Sequence, residues 1–424
     1  MKAGLTQYDS VSMAPPTMTR HLLNAQVPKL GLRVALVAAL LAVLAAAATA
    51  GAEPYMALRQ GYACSDCHAN RSGGGMRTLT AEMHAGEILS LANDGEGVLP
   101  AHDDWFSPNI NEYFSVGADL RIVDSVLFQD DPDSNNRVKN NTVFRDLESN
   151  DLDVDQATLY AELRLIPGLL SGYLDERVAP GGADNREAFV LLDGVLPAET
   201  YLKAGRFFAA WGLKTQDDSA FVNSTSGFTF DRSVTGVEVG RTGEGFNWFA
   251  SVSEGNEDTD VDQLFAVSAS YIWKDLPGPL TNALFGGSAA HDSPGNLESN
   301  SFTAFGGIST GNLTVLAQAN LLDLERPLPD PPGPAGAIED VQAWATYVEV
   351  NYLISDWINA KLAFDFYDPD DNKAEDSRNR ISVGLEPFLD RFLQLRFFYR
   401  VYNGPEDEPQ NNRDELILEA HLLF

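Results

Sequence analysis

The stretch Trp344-Ala345-Thr346-Tyr347-Val348-Glu349-Val350-Asn351-Tyr352 (residues 344–352) alternates between two kinds of side chain. One set of alternate positions is mostly apolar, and the other set includes Glu349 and Asn351. Successive side chains of a β-strand point to opposite faces. A period of two therefore predicts a strand with one apolar and one more polar face.

The same alternation recurs in the segments 114–122, 157–165, 358–366 and 393–401. Each segment is about ten residues long, which is the length that a tilted strand needs to cross a bilayer. The pattern is typical of a transmembrane β-barrel, whose lipid-facing and lumen-facing residues alternate. A soluble β-sandwich alternates in the same way, so a single strand does not distinguish the two classes.

Two features of the strand ends favour the membrane barrel. Aromatic residues stand where the interfacial girdles of such barrels lie, namely at Tyr113, Trp273, Tyr352, Trp357 and Tyr402. The connections also alternate in length, as the short periplasmic turns and long outer loops of outer-membrane barrels do. Tight turns are expected at Pro167-Gly168 and Ser355-Asp356, and long acidic loops at 129–154, 216–233, 323–340, 367–379 and 403–413.

The C-terminus supplies a third feature. Residues 416–424 alternate up to the terminal aromatic Phe424, as the last strands of outer-membrane proteins do. At roughly 20 residues per strand and connection, the segment after Glu112 holds about 16 strands, with 14 or 18 as alternatives.

A second motif, Cys64-Ser65-Asp66-Cys67-His68, has the form Cys-x-x-Cys-His, the attachment signature of a c-type haem. Two thiols at this spacing can each close a thioether to one vinyl group of the same porphyrin, and His68 can supply an axial nitrogen to the iron. A redox disulfide or half a zinc site are the alternatives. These are the only two cysteines of the 424 residues, so a four-cysteine zinc site is excluded. The predicted cofactor is one covalently attached haem c.

The start of the chain carries an export pattern. Basic residues precede an apolar run from Val34 to Ala50, which ends in small residues before Glu53. This pattern predicts a secretory signal peptide, with an uncleaved anchor as the alternative. Covalent haem attachment takes place outside the bacterial cytoplasm, so the signal and the motif support each other. Met13 and Met18 are alternative start codons.

The predicted organisation is a signal peptide over residues 1–52, a monohaem cytochrome c-type segment over 53–111 and a porin-like β-barrel over 112–424. The fold class is all-β, a transmembrane antiparallel β-barrel of about 16 strands with a small N-terminal c-type haem segment. Localisation in the outer membrane of a Gram-negative bacterium follows, with outer-membrane lipid as a partner.

The second axial ligand of the iron is less constrained. Gly73-Gly74-Gly75 either folds tightly over the porphyrin or is a loose linker. We expect a helical segment after it to carry His84 back to the iron as the second metal ligand. The alternative is a five-coordinate iron, whose sixth position is open to substrate. The candidates within reach are Met76, Met83, His84 and His102.

The charge of the chain excludes one class of function. There are 61 acidic and 29 basic residues, a net charge of −32. Nucleic-acid binding requires patches of Lys and Arg, so it is excluded. The acidity favours cationic partners or metal ions, and it equally fits loops that are simply solvated.

An exported chain with one Cys-x-x-Cys-His near its mature start and a barrel behind it resembles the fused monohaem cytochrome–porins of the bacterial outer membrane. That class includes ferrous-iron oxidases. Two stretches are similar to polyanion- and phosphate-selective porins: 201–213, with Tyr201-Leu202-Lys203-Ala204-Gly205-Arg206-Phe207 and Trp211-Gly212-Leu213, and 235–239, Thr235-Gly236-Val237-Glu238-Val239. The glycine run at 73–75 departs from the iron oxidases, and the acidic lumen departs from a phosphate-selective pore.

The resemblance implies an electron-transfer protein whose haem is docked in the lumen. Electrons would pass between an extracellular donor, such as Fe2+, and a periplasmic c-type cytochrome or other acceptor. Oxidation of ferrous iron would then be outer-sphere electron transfer. The alternative function is a diffusion porin whose haem segment is a gate, a sensor or a structural plug.

Two sets of charged side chains fit this hypothesis. The haem propionates need cationic partners inside the barrel, for which the candidates are Arg121, Arg164, Arg396 and Arg400. Each of these could instead pair with a lumen acid. Acidic loop residues could concentrate a cationic donor, and the candidates are Asp130, Asp131, Asp133, Asp368, Asp370 and Asp371.

Overall fold

The computed structural model describes residues 53–78, 80–81, 109–129, 146–230, 232–243, 245–254, 262–293, 297–327, 338–390, 392–405, 408 and 411–423. The predicted signal peptide lies outside these residues. So do the ligand candidates Met83, His84 and His102, the loop residues Asp130, Asp131 and Asp133, and the terminal Phe424.

Strands make up most of the described chain, and they form one antiparallel sheet. Their bounds are β1 Asn109–Asn111, β2 Phe114–Gln129, β3 Asp146–Ile166, β4 Leu170–Ala179, β5 Asp184–Leu196, β6 Thr200–Phe207, β7 Val234–Arg241, β8 Phe246–Glu254, β9 Gln263–Trp273, β10 Asn282–Asp292, β11 Ser299–Thr310, β12 Leu313–Pro327, β13 Ile338–Ser355, β14 Ile358–Asp368, β15 Arg378–Asp390, β16 Leu393–Asn403 and β17 Arg413–Leu423.

Within the described residues, the sixteen strands β2 to β17 close into a barrel. Each strand pairs with the next, and β17 pairs with β2 from Arg413 opposite Gln129 to Leu423 opposite Asp119. The short strand β1 pairs with the start of β2. Closure leaves no free sheet edge, which a barrel in lipid requires. The predicted all-β antiparallel barrel of this strand number is confirmed.

The two faces of the barrel wall are reversed relative to a soluble protein. On β13 the outward residues Val348 and Tyr352 are 40% and 51% exposed, whereas the inward Glu349 and Asn351 are 3% and 0% exposed. Apolar side chains thus cover the outside, and polar side chains fill the inside. A soluble sandwich buries its apolar face, so this arrangement identifies a membrane-spanning barrel.

The two ends of the barrel differ as predicted. Short turns such as 167–169 and 356–357 lie at one end, and connections such as 208–233 and 369–377 leave the other. By the rule for outer-membrane barrels the first end is periplasmic and the second is external. Several strands run further outward than predicted: β3 already begins at Asp146, so the expected loop 129–154 is shorter. The described residues include no helix that is long and apolar enough to cross a membrane.

The aromatic girdle is confirmed in part. Tyr113, Trp273 and Tyr352 are exposed on the outer face at the periplasmic end. The prediction for Tyr402 is wrong. Its side chain is buried, and its hydroxyl donates a hydrogen bond to Glu415 at 3.0 Å. Position at a strand end does not decide which face a residue occupies; the register of the strand does.

Two segments lie inside the barrel. The plug, residues 53–78, contains helices α1, Pro54–Gln60, and α2, Cys64–Cys67. The inner segment, residues 208–230, connects β6 towards β7 and contains helix α3, Phe221–Ser224. The plug contacts strands around the whole ring: α1 packs on β10, β11 and β12, Glu53 pairs with Lys361 of β14, and Arg71 pairs with Asp193 of β5. Contacts with such distant strands are possible only from within the lumen.

The reversed faces generate a depth-dependent prediction. Val348 lies near the middle of β13 and faces outward, so Val348→Arg places a charge in the hydrocarbon core at a cost of about 2–4 kcal/mol. Ile338→Arg, at the external end of the same strand, serves as the matched control and should cost at most about 1 kcal/mol. Denaturant unfolding in lipid vesicles measures both changes. Equal decreases in the free energy of unfolding for the two variants would contradict a membrane-embedded outer face.

Candidate functional site

The start of the plug is held by buried charges of the barrel wall. The Glu53 carboxylate accepts hydrogen bonds from Lys361 Nζ at 2.6 Å and from Gln394 Nε2 at 3.0 Å. The same ammonium pairs with Glu386 at 3.1 Å, and all of these side chains are buried. Removing one member of such a group would leave an uncompensated charge, so the network ties α1 firmly to β14 and β16.

A second set of polar contacts holds the other half of the plug. Lys203 Nζ donates hydrogen bonds to Asn70 at 3.2 Å and to Ser72 at 2.9 Å, and it forms an ion pair with Glu238 at 2.7 Å. Lys203 and Glu238 are both fully buried. Asn70 also donates to Glu187 at 2.9 Å. The stretches of β6 and β7 that resemble selective porins therefore form, in this chain, the wall on which the plug is docked.

Between these two docking points lies the Cys-x-x-Cys-His motif. Cys64 and Cys67 are free thiols on the single turn of α2. Cys64 is exposed although it lies inside the barrel, because its surface faces a cavity of about 210 Å³. Cys67 and His68 line the same cavity. Burial raises the pKa of the Cys67 thiol to about 12, so it is protonated at neutral pH.

His68 is oriented by the backbone that follows it. Its Nδ1 lies 3.4 Å from the carbonyl oxygen of Gly75. Burial lowers the pKa of His68 to about 4, so the ring is neutral at physiological pH. A neutral ring that donates through Nδ1 presents Nε2 with a free lone pair, which is the form that ligates a metal.

The glycine run forms a tight turn, and the looser alternative is wrong. Residues 67–78 make a small hairpin, in which Ala69 N donates to Met76 O at 3.0 Å and Thr78 N donates to Cys67 O at 3.0 Å. Gly75 has a φ of +66°, and a Cβ there would lie 2.1 Å from the Tyr173 hydroxyl oxygen. Only glycine fits both requirements, so the turn holds the hairpin against the wall.

The chemical character of the residues around the cavity suits a haem. Apolar and aromatic side chains line it, among them Leu58, Trp211, Phe249 and Phe305, together with cationic side chains. A porphyrin combines a flat apolar ring with two carboxylates, so it needs both kinds of surface. Trp211 also has a buried indole N–H without a hydrogen-bond partner among the described residues. That is the kind of donor that a bound acidic group would satisfy.

The sequence candidates have mixed outcomes. Met76 is buried in an apolar cluster with Tyr173 and Phe189 and is not among the residues that line the cavity. His84, the favoured second ligand, lies outside the described residues and stays a prediction.

The four candidate propionate partners are engaged by acids. Arg164 pairs with Glu162, Arg396 with Glu386 and Glu419, and Arg400 with Asp217 and Glu415. Arg121 lines the cavity, but it pairs with Asp119 at 3.5 Å and with Asp218 at 3.8 Å. The alternative reading of these arginines, that they pair with lumen acids, is therefore confirmed.

Two side chains at the cavity were not among the candidates from the sequence. One lies on the barrel wall and the other on the inner segment. His421 of β17 lines the cavity, and its Nε2 lies 3.1 Å from Asp119. Lys214 lines it from the inner segment, of which the sequence predicts only the part from residue 216 onward as a long loop. The inner segment folds inward because wall groups hold it: Arg380 of β15 pairs with Asp217 at 2.8 Å, and Asn320 of β12 donates to the carbonyl oxygen of Val222 at 2.7 Å. The inward path of this segment is visible only from its contacts with strands that lie far away in the sequence.

Comparison with known proteins supports the fold. No protein-family model matches the chain, and no curated protein matches it. An anion-selective porin from Comamonas acidovorans superposes with a TM-score of 0.52 at 11% identity, over 73% of this chain and 99% of that one. A loop-deletion mutant of OmpT, an outer membrane protein of Vibrio cholerae, superposes with a TM-score of 0.51 at 12% identity, over 74% and 100%. With its apolar exterior and closed ring, this chain is a porin-like β-barrel of the bacterial outer membrane.

The docking of the plug can be tested at Lys203. Lys203→Met leaves Glu238 buried without its cation, so we expect a loss of about 3–5 kcal/mol in the free energy of unfolding. The control Lys373→Met removes a lysine that is 57% exposed, where a pair contributes about 1 kcal/mol at most. The temperature at which the barrel loses its fast mobility on an unboiled gel reports both. Indistinguishable temperatures for the two variants would show that the buried pair does not hold the plug.

Proposed function

We propose that this chain is an outer-membrane electron-transfer protein that holds one c-type haem inside its barrel. One observation carries the proposal: Cys64, Cys67 and His68 line a cavity within the lumen, and the plug that bears them is docked by buried charges. A c-type haem supplies one-electron chemistry at its iron when it is bound. An acceptor in the periplasm, such as a soluble c-type cytochrome, and an extracellular donor complete the proposed route.

The residues of the chain have distinct parts in this proposal. Cys64 and Cys67 would hold the porphyrin by thioethers, and His68 Nε2 would ligate the iron while its Nδ1 stays on Gly75. The apolar side chains that line the cavity would exclude water from the porphyrin ring. The barrel would keep lipid away and fix the position of the plug between the two membrane faces, whose apolar band is about 25 Å tall. A single haem can serve both faces only from inside the lumen.

The inner segment contributes both to the cavity and to the packing against the barrel wall. Trp211, Leu213 and Lys214 line the cavity from this segment, and α3 packs on β13 and β14. Among the described residues, no group of three or more His, Cys, Asp or Glu side chains is placed to hold a metal ion. Asp370, a candidate for attracting cations, is paired with Arg326 and Lys373. We therefore propose outer-sphere transfer from a small donor, with Fe2+ as the first to examine.

A second candidate function is a diffusion porin in which the plug is a gate, a sensor or a structural element. The fold favours it, because one of the solved structures that this chain resembles is described as an anion-selective porin. Against it stands the occupied lumen, in which both the plug and the inner segment are buried against the wall. In this second function the haem would not turn over.

Covalent haem is the first test. Purified from a host that matures c-type cytochromes, the processed chain should stain for haem after denaturation and carry the added mass of one haem. Cys64→Ala with Cys67→Ala should abolish the denaturation-resistant stain, because no thioether can form. Haem staining that survives denaturation in the double variant would overturn the attachment. Unchanged heat-modifiable mobility shows that the barrel still forms.

Reconstituted liposomes separate the two candidate functions. With oxidised cytochrome c enclosed and Fe2+ outside, electron transfer should reduce the enclosed cytochrome while an enclosed small dye stays inside. The Cys64→Ala, Cys67→Ala variant is the matched control and should show no reduction. Rapid loss of dye from vesicles of the parent protein, with no haem-dependent reduction, would favour the porin.

A further inference from the structure

Four cationic side chains line the cavity, namely Arg77, Arg121, Arg186 and Lys214. Arg121 is balanced by Asp119 and Asp218, as described above. Lys214 and Arg186 also line the cavity, yet neither forms an ion pair within 4.0 Å among the described residues. The chain has far more acidic than basic residues and pairs most of its other lumen cations, so these two positive charges stand out.

Lys214 and Arg186 meet around one aromatic residue, Phe230. Lys214 Nζ lies 6.0 Å from the centre of the Phe230 ring and donates to the carbonyl oxygen of Gly73 at 3.3 Å. Arg186 Nη2 donates to the carbonyl oxygen of Phe230 at 3.0 Å, and Nη1 donates to Thr158 at 3.3 Å. Arg186 is 7% exposed, and its buried Nε has no hydrogen-bond partner among the described residues. Both side chains line the cavity and keep donors that have no acceptor among the described residues.

Trp211 adds a third donor to the same cavity. It is 4% exposed, and its ring stacks on Phe228 with centroids 4.3 Å apart. The buried indole Nε1 lacks a partner among the described residues. A carboxylate oxygen beside this N–H would supply the acceptor that it lacks among the described residues.

We propose that Lys214, Arg186 and the indole N–H of Trp211 bind the carboxylates of the haem propionates. This inference rests on the proposed haem attachment and adds the inner segment to the haem site. It replaces the arginine partners expected from the sequence, whose charges are already balanced.

The charges and donor types match two carboxylates. Two anionic propionates taken into a lumen with many acids need cations that are not already in a close ion pair, and Lys214 and Arg186 have only longer-range interactions with acids such as Glu187 and Asp175. Guanidinium, ammonium and indole N–H are all donors without acceptor capacity, so they suit carboxylate oxygens. Burial lowers the pKa of Lys214, and a carboxylate beside it would offset that effect.

The experiment compares haem-loaded variants of the full-length barrel. Lys214→Gln removes the charge and keeps an amide donor for Gly73, and Trp211→Phe keeps the stacking on Phe228 while removing the N–H. Lys373→Gln, a change of the same type on an external loop, is the control. The readouts are covalent haem content, the propionate bending bands in the resonance Raman spectrum, and the midpoint potential of the haem.

We expect full covalent haem content in all three variants. Lys214→Gln should lower the midpoint potential, because loss of a nearby cation disfavours the reduced iron. Both Lys214→Gln and Trp211→Phe should shift the propionate bands, whereas Lys373→Gln should shift neither the bands nor the potential.

Loaded variants with unchanged propionate bands would overturn the inference and leave the proposed function standing. Lys214 would then be free to bind a separate anion in place of a propionate. Titration of phosphate into the parent protein tests for such binding. Absence of covalent haem from the parent protein would instead overturn the proposed function, and with it the inference.

Discussion

A strand in lipid has no water to hydrogen-bond, and every other property of this chain depends on that constraint. The ladder between β17 and β2 satisfies the last open edges of the sheet and makes the ring continuous. Closure forces one face of every strand towards lipid and the other into a common lumen. Apolar residues such as Val348 must then lie outside and polar ones such as Glu349 inside.

A lumen lined by charges has to balance them, and this chain does so with its own segments. Glu53 completes the group around Lys361, and Asn70 and Ser72 complete the group around Lys203. These contacts bring the N-terminal residues into the barrel and keep them there, since separating a buried pair is costly. The docking places the Cys-x-x-Cys-His motif beside a cavity. Barrel closure, plug docking and the candidate haem site thus follow in turn from the requirement that every backbone group in lipid is hydrogen-bonded within the protein.

Parts of this arrangement could be foreseen because they are local. Alternation along 344–352 predicts β13, and tight turns at Pro167-Gly168 and Ser355-Asp356 predict the periplasmic end. Other parts depend on partners far apart in the chain. The inward path of residues 208–230 is stabilised by Arg380 and Asn320, and the sequence alone predicts the part from residue 216 onward as an outer loop. Tyr402 was expected on the wrong face for the same reason, and the sequence left open whether the lumen arginines pair with acids, because only register and neighbours decide what a side chain contacts.

The sequence by itself determined the strand periodicity, the approximate number of strands and the residues Cys64, Cys67 and His68 that mark the candidate haem site. These properties depend on the spacing of residues along the chain. The side chains of a strand alternate with a period of two residues, and two thioethers to one haem need a fixed separation of the cysteines. The tertiary structure placed residues 53–78 inside the ring, as the resemblance implied, and it alone decided that the candidate arginines are paired with acids and that Lys214, Arg186 and Trp211 line the cavity. Those decisions depend on charge balance in a closed lumen, which brings together side chains hundreds of residues apart, such as Glu53 and Lys361.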